Sequence, residues 1–282
     1  MDFIDLHVHT TASDGTCTPS EVVEMALETG LYAIAITDHD TVAGVNEAIG
    51  AASGRPLKVI PGVEISSVYD GREVHVLGLN IDHHNSFLLR TLSQVEEIRN
   101  ERNEKMCSLL QKQGFDITME ELRQKASKTT VTRGDMGRLM VAKGYVRNID
   151  EAFLLYLSSY SEHSCYVPRF RMPLEDVSKL ITFAGGICSI AHPVQYKMTI
   201  EQYRKLFRSA RRFGIKCVEA IHSDNGPGDQ DKFTSLALEE NLQITGGSDF
   251  HGKSKPDITI GTGRGNIMVP KTILNNIGIT DI

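Results

Sequence analysis

The chain has 282 residues, enough to bury a large core as one big domain or as one domain carrying an insertion. Its 30 basic and 36 acidic side chains leave a net charge of −6, which argues against a broad nucleic-acid or membrane surface while leaving room for a local basic pocket. No apolar run approaches the ~20 residues that span a bilayer, no signal-peptide pattern opens the chain, and five scattered cysteines form no Cys-x-x-Cys pair, so a cytoplasmic protein with reduced structural thiols is expected.

Phe3–Val8 is predicted as a strand and Pro19–Thr29 as a helix, capped by Thr18 or Thr16 and closed by Gly30. Ala33–Thr37 reads as a buried strand, Val42–Ala52 as a helix, and Leu57–Ile65 and Val74–Leu79 as two further strands. This alternation predicts parallel β/α units with strands covered on both faces. From about Phe87 to Tyr166 no strand-like run occurs. Leu88, Leu92, Val95 and Ile98, then Met106, Leu109 and Leu110, keep helical spacing, and Met119–Ala126, Met136–Ala142 and Ile149–Leu157 read as shorter helices. Residues 87–166 are therefore expected to form a helical insertion subdomain; the heptads do not persist as a coiled coil requires. The β/α rhythm returns at Gly186–Ala191, Ile215–Ile221 and Leu242–Thr245, with helices Leu174–Phe183, Ile200–Phe213 and Asp229–Glu240. Seven strands in all make an α/β barrel built from 1–86 and 167–282 more economical than an open doubly wound sheet.

In parallel barrels functional side chains sit at the C-terminal ends of strands. Here each predicted strand ends in metal-binding residue types: His7, His9 and then Asp14; Asp38 and His39; Glu64; His75; His192; Glu219 and His222; Asp249 and His251. His7 and His9 lie two apart and so share one face of their strand. The donors are nitrogen and oxygen without thiolate, which suits Mn²⁺, Fe²⁺ or Zn²⁺ over a cysteine-rich structural zinc site. They are too many for one ion, so two or three are implied, with a carboxylate such as Glu64 free to bridge. Such centres activate water and clamp phosphoryl oxygens.

His7-Val8-His9 with Asp14-Gly15, Thr37-Asp38-His39, Gly62-Val63-Glu64, Ala191-His192-Pro193 and Gly247-Ser248-Asp249-Phe250-His251 together resemble the PHP (polymerase and histidinol phosphatase) superfamily. The similarity is greatest to its stand-alone phosphoesterases, including those acting on nucleoside monophosphates and 3′,5′-bisphosphates. The resemblance implies a distorted (β/α)₇ TIM-like barrel with a trinuclear centre. It places one ion on His7, His9, Glu64 and Asp249, a second on Glu64, His75 and His192, and a third on Asp14, His39 and His251. Asp14 stands where relatives carry histidine, and a carboxylate there favours Mn²⁺ or Fe²⁺ over Zn²⁺.

Asp38, beside His39, is a candidate for orienting a ligand or handling a proton. His222 is a candidate for phosphate contact or leaving-group protonation. Arg133, in a Thr-Arg step similar to that of PHP phosphoesterases, precedes a predicted helix and would pair with its N-terminus to bind phosphate. Arg169, Arg171, Lys197 and Asn225 are weaker substrate-binding candidates. Gly261–Gly265 lacks the context and lysine of a P-loop and reads as a turn. No Ser-His-Asp or Cys-His arrangement is apparent, so attack by metal-activated water is expected.

The expected activity is metal-dependent hydrolysis of phosphate monoesters on small nucleotide-like substrates, nucleoside 5′-monophosphates or 3′,5′-bisphosphates, with the insertion covering the barrel mouth and choosing the leaving group. Alternatives are histidinol-phosphate or another small-molecule phosphatase, 5′-to-3′ trimming of short RNA, and a non-catalytic metal-binding scaffold. No membrane association and no stable protein partner are implied.

Overall fold

The structure, a computed structural model, describes residues 2–126 and 131–280. Residues 127–130 of the predicted insertion, and residues 1, 281 and 282 of the predicted barrel segments, lie outside the described residues. In chain order the elements are β1 (Phe3–Val8), α1 (Pro19–Glu28), β2 (Ala33–Ile36), α2 (Val45–Ala52), β3 (Lys58–Tyr69), β4 (Arg72–Leu79), α3 (Ser86–Lys112), α4 (Met119–Ala126), α5 (Arg133–Ala142) and α6 (Ile149–Ala152), the last continuing into a π-helical turn, Phe153–Leu157. There follow β5 (Met172–Pro173), α7 (Leu174–Phe183), β6 (Ile187–Ile190), α8 (Ile200–Arg212), β7 (Cys217–His222), α9 (Asp229–Glu239), β8 (Gln243–Gly247), β9 (Val269–Pro270) and α10 (Thr272–Ile277). The chain divides into two compact units, Met1–Arg90 with Arg171–Ile282, and Thr91–Phe170.

The first unit carries one sheet in the order β8-β7-β6-β4-β3-β2-β1-β9, with β5 beside β3. The segment after β8 closes the sheet on β1: Asp249 N–H donates to the His7 carbonyl (2.9 Å) and His9 N–H to that of Phe250 (3.0 Å). A barrel-like α/β sheet results, as expected. Its strands are not all parallel, however. β4 runs antiparallel to both β3 and β6, and β9 runs antiparallel to β1. For β4 the cause is Asp70-Gly71, both in the left-handed region (φ 51° and 72°), the two-residue turn that makes a tight hairpin with β3. β3 consequently runs on to Tyr69, well past the predicted Ile65. His75 reaches the Glu64 end of the barrel by folding back along β3, two residues from the Glu64–Leu77 pair.

β1 and β2 are buried almost throughout, which is why they read as unbroken apolar runs. α8 is charged on its outer side and buries Tyr203, Leu206, Phe207 and Ala210, spaced three and four apart along one stripe. Thr18 caps α1 and Thr199 caps α8, each through a reciprocal pair with the third residue of the helix, Glu21 and Gln202.

The second unit is helical in its described residues. Met106, Leu110, Ile117, Leu122, Met136, Leu139, Met140 and Leu157 form its core. Asn103, buried on α3, donates its amide to the Val131 carbonyl (2.9 Å), and Arg102 donates Nε–H to the Val167 carbonyl (3.0 Å). Among the described residues no helix is long and apolar enough to cross a membrane.

Candidate metal centre

Period-two alternation sends Asp5, His7 and His9 to one side of β1 and its extension. Asp5 is an anchor: its carboxylate accepts from Ser248 N–H (2.8 Å), Ser248 Oγ–H (2.5 Å) and Gly261 N–H (2.7 Å). His7 and His9 extend into a cluster that gathers all nine predicted metal residues. Glu64 is its hub. Oε2 lies 3.3 Å from His7 Nε2, 3.2 Å from His9 Nε2 and 3.1 Å from His39 Nδ1. Oε1 lies 2.8 Å from both His75 Nδ1 and His192 Nε2. On one side, Asp249 Oδ1 stands 3.7 Å from His7 Nε2, 3.4 Å from His9 Nε2 and 3.3 Å from His251 Nδ1. On the other, Asp14 Oδ1 is 3.2 Å from His251 Nε2 and 3.6 Å from His9 Nδ1, and its Oδ2 is 3.8 Å from His39 Nε2. Donor atoms close enough to share an ion occur in His9/Asp14/His39/His251, His7/His9/Asp249, His7/Glu219/His222, His7/Glu64/His192 and His39/Glu64/His75. These sets overlap more than the expected partition: His9 stands beside Asp14 as well, and His39 beside His75 and Glu64.

The ring orientations fit a divalent cation. A carbonyl can only accept, so His251 Nδ1 donates to the Asp249 carbonyl (2.8 Å) and turns an Nε2 lone pair toward Asp14. His7 Nδ1 faces the Glu219 carboxylate (2.9 and 3.1 Å), leaving Nε2 for the cluster. His75 Nε2 is 3.3 Å from Glu73, leaving Nδ1 for Glu64. Outer carboxylates and carbonyls that fix imidazoles in this way are the usual surroundings of metal-bound histidine. His7 Nε2 and His9 Nε2 are 3.0 Å apart, a repulsive pair of lone pairs unless a cation or proton stands between them. Burial alone would lower the pKa of His9, but Asp249 and Glu64 raise it to about 9; Glu64 and Glu73 do the same for His75. Glu64, also fully buried, is held well below the usual range by His39, His75 and His7.

The backbone is bent to present these groups. His192 and Asp249 both have positive φ (24° and 56°), conformations that cost side-chain-bearing residues energy and recur at functional sites. Gly247 is required for a different reason. A Cβ there would stand 2.4 Å from His7 Cβ and 2.5 Å from His7 N, so only glycine lets β8 pass so close to β1.

Glu219 stands among the strand-end residues of metal-binding type without an expected role. It is fully buried on β7 and accepts from His192 N–H (2.6 Å) while facing His7 Nδ1, joining the segments that carry His7 and His192. Strict alternation would put Glu219 and His222 on opposite faces. A register shift between Glu219 and Ile221 returns His222 to the His7 side. The available signal was a lone carboxylate in the apolar run Cys217–His222.

The remaining predicted residues fall in several places. Asp38 is fully buried and accepts from Thr10 N–H (2.8 Å), Thr10 Oγ–H (2.7 Å) and Ser13 Oγ–H (2.6 Å), so it fastens the loop after β1. His222 lies 3.4 Å from Asp249 Oδ2. Asn225 donates to the Ala220 carbonyl (2.7 Å) at the end of β7. Lys197 is exposed, and Arg171 pairs with Glu73 (2.6 Å). Arg133 and Arg169 belong to the helical unit. Arg133 opens α5, where Thr132 and Asp135 cap each other reciprocally, so the N–H groups of these two residues are taken and Asp135 brings its own negative charge. The Arg133 guanidinium donates to the Leu157 carbonyl (3.3 Å) over the rings of Phe153 and Tyr166. The buried thiols of Cys188 and Cys217 are pushed up to about 11 and about 12 by burial, unsuited to nucleophilic work.

Comparison with known proteins gives this geometry a family. The PHP domain profile matches residues 5–226. The 5′-3′ exoribonuclease Rnm of Escherichia coli (strain K12) is 34% identical over 249 residues, 88% of this chain and 84% of its own. The 3′,5′-nucleoside bisphosphate phosphatase of Chromobacterium violaceum is 32% identical over 265 residues, 93% of this chain and 91% of its own. A solved structure from Bifidobacterium adolescentis, described as a candidate metal-dependent phosphoesterase, superposes with a TM-score of 0.82 at 29% identity, over 97% of this chain and 94% of that one. The chain belongs to the PHP domain family and is a metal-dependent phosphoesterase.

Proposed function

We propose that the protein hydrolyses phosphate monoesters of small nucleotide-like substrates, nucleoside 5′-monophosphates or 3′,5′-bisphosphates, using two or three divalent ions, Mn²⁺ foremost. The observation that carries this reading is Glu64, one carboxylate within 3.3 Å of five histidines, flanked by Asp249 and Asp14. A single ion has no use for so many donors. His7, His9, Asp14, His39, Glu64, His75, His192, Asp249 and His251 would hold the ions, and Asp14 is the choice that favours Mn²⁺ or Fe²⁺. Ions bound there supply Lewis acidity and lower the pKa of water at neutral pH.

The chain's own groups divide the remaining work. Glu219 orients His7, and Asp38 holds the loop that carries Asp14. His222 offers an N–H to the phosphate or leaving oxygen. The bisphosphate phosphatase similarity supports a substrate with a second phosphate.

The second reading, removal of mononucleotides from the 5′ end of short RNA, draws on the exoribonuclease similarity and needs the same chemistry. A panel of nucleoside 5′-monophosphates, 3′,5′-bisphosphates and oligoribonucleotides of graded length, assayed with Mn²⁺, separates the two. Phosphate release from the small substrates alone supports the first. Mononucleotide release that improves with oligonucleotide length replaces it with the second.

A further inference from the structure

The two oxygens of Asp249 face different surroundings. Oδ1 looks into the cluster, toward His7, His9 and His251. Oδ2 looks outward, to Lys255 Nζ at 2.5 Å and His222 Nε2 at 3.4 Å. His222 is fully buried, and its protonation pattern is fixed. The backbone N–H of Asp224 donates to Nδ1 (3.1 Å), so the ring's proton is on Nε2, and that buried atom completes no hydrogen bond. Lys255 has three N–H donors and spends one on Oδ2; among the described residues it makes no second hydrogen bond. Its side chain is 32% exposed, so it connects the centre with solvent. The loop that carries it is pinned, with Lys253 N–H on Thr16 Oγ1 (2.7 Å), Ser254 Oγ–H on the Asp14 carbonyl (3.3 Å) and Ile258 N–H on the Lys255 carbonyl (3.1 Å). Asp224 is itself held by Arg264 and Gln195, each at 3.0 Å.

We infer that Lys255 and His222 form a two-donor clamp for the substrate's phosphoryl oxygens at the outer edge of Asp249, with Lys255 supplying the positive charge. An unpaired buried N–H is costly, and an ammonium with spare donors beside it completes an anion site. Lys255 therefore binds the phosphoryl group, whereas the other oxygen of Asp249 would be left to hold metal. The clamp rests on the phosphoesterase reading.

The test is calorimetric titration of inorganic phosphate into the metal-loaded protein, for wild type, Lys255→Met, Lys255→Gln and Lys255→Arg, with metal content measured on each sample. The clamp predicts phosphate binding weakened by about tenfold or more in the Met and Gln variants, recovered to within about threefold in the Arg variant, at unchanged metal content. Phosphate affinity unchanged in Lys255→Met overturns it. So does a fall in metal content that accounts for the loss, which would make Lys255 a support for Asp249 alone. Failure of the phosphoesterase reading shows itself separately, as wild-type protein that binds phosphate and turns over no phosphate ester.

Discussion

Replacing Glu219 by alanine removes no expected metal ligand and yet should empty the centre. Its carboxylate faces His7 Nδ1 at 2.9 and 3.1 Å and accepts from His192 N–H at 2.6 Å, with no exposure to water. Alanine leaves both donors buried and unpaired, at about 1–3 kcal/mol each. Part of that cost is returned because a buried carboxylate no longer has to be desolvated. The larger effect falls on the metal. Without Glu219 the His7 ring is free to rotate or to move its proton to Nε2, which removes the lone pair from the cluster. Losing such an orienting carboxylate typically weakens metal binding about 10- to 100-fold, or about 1.4–2.7 kcal/mol. Glutamine should fall between: its one oxygen can serve His7 or His192, while its NH₂ opposes the other donor. Calorimetric Mn²⁺ titration of metal-stripped wild type, Glu219→Gln and Glu219→Ala gives the ordering directly. Wild-type affinity and stoichiometry in Glu219→Ala would refute the reasoning.

Gly247→Ala should cost several kcal/mol, since the new methyl must displace His7 backbone on a buried strand; thermal melting reads this, and a midpoint within about 2 °C of wild type contradicts it. Metal-free protein should lose stability as pH rises. His9 and His75 have folded pKa values raised to about 9, against an ordinary value near 6.5, so the stabilisation is complete below about 6.5 and disappears as pH passes through about 9. Mn²⁺ replaces those protons, so its stabilising effect should grow over the same interval; a metal-free midpoint that climbs from pH 7 to 9 would count against this. Asp38→Ala should release the loop after β1 and lower metal occupancy at Asp14, without abolishing metal at Glu64, as metal counting and backbone amide exchange at Thr10–Ser13 would show.

The sequence was most legible where one local rule decides the outcome. Alternation places His7 and His9 together on β1, and unbroken apolar runs mark strands buried on both faces. Metal-binding residue types at successive strand ends gave away the centre because a barrel collects strand ends whatever their order. Pairing direction was harder to read. Val74–Leu79 has the same apolar texture in either direction, and only the Asp70-Gly71 turn distinguishes them. Glu219 was obscured by the register shift beside it, which defeats the alternation that would place it. Lys255 was invisible for another reason: a lysine in a polar loop has no pattern, and its role appears only when the fold sets it against Asp249. At Arg133 the helix start was anticipated, but not the reciprocal cap of Thr132 and Asp135 that sets a carboxylate beside it.

The central claim is that a polynuclear centre hubbed on Glu64 hydrolyses phosphate esters. The most direct measurement is inorganic phosphate release from a nucleoside 3′,5′-bisphosphate by chelator-stripped protein, by the same protein reloaded with Mn²⁺, and by Glu64→Gln under both conditions. The account predicts no release when stripped, recovery on reloading with at least two ions bound per chain, and a loss of about a thousandfold or more in Glu64→Gln. Release that survives stripping, or that persists at the wild-type rate in Glu64→Gln, would contradict it.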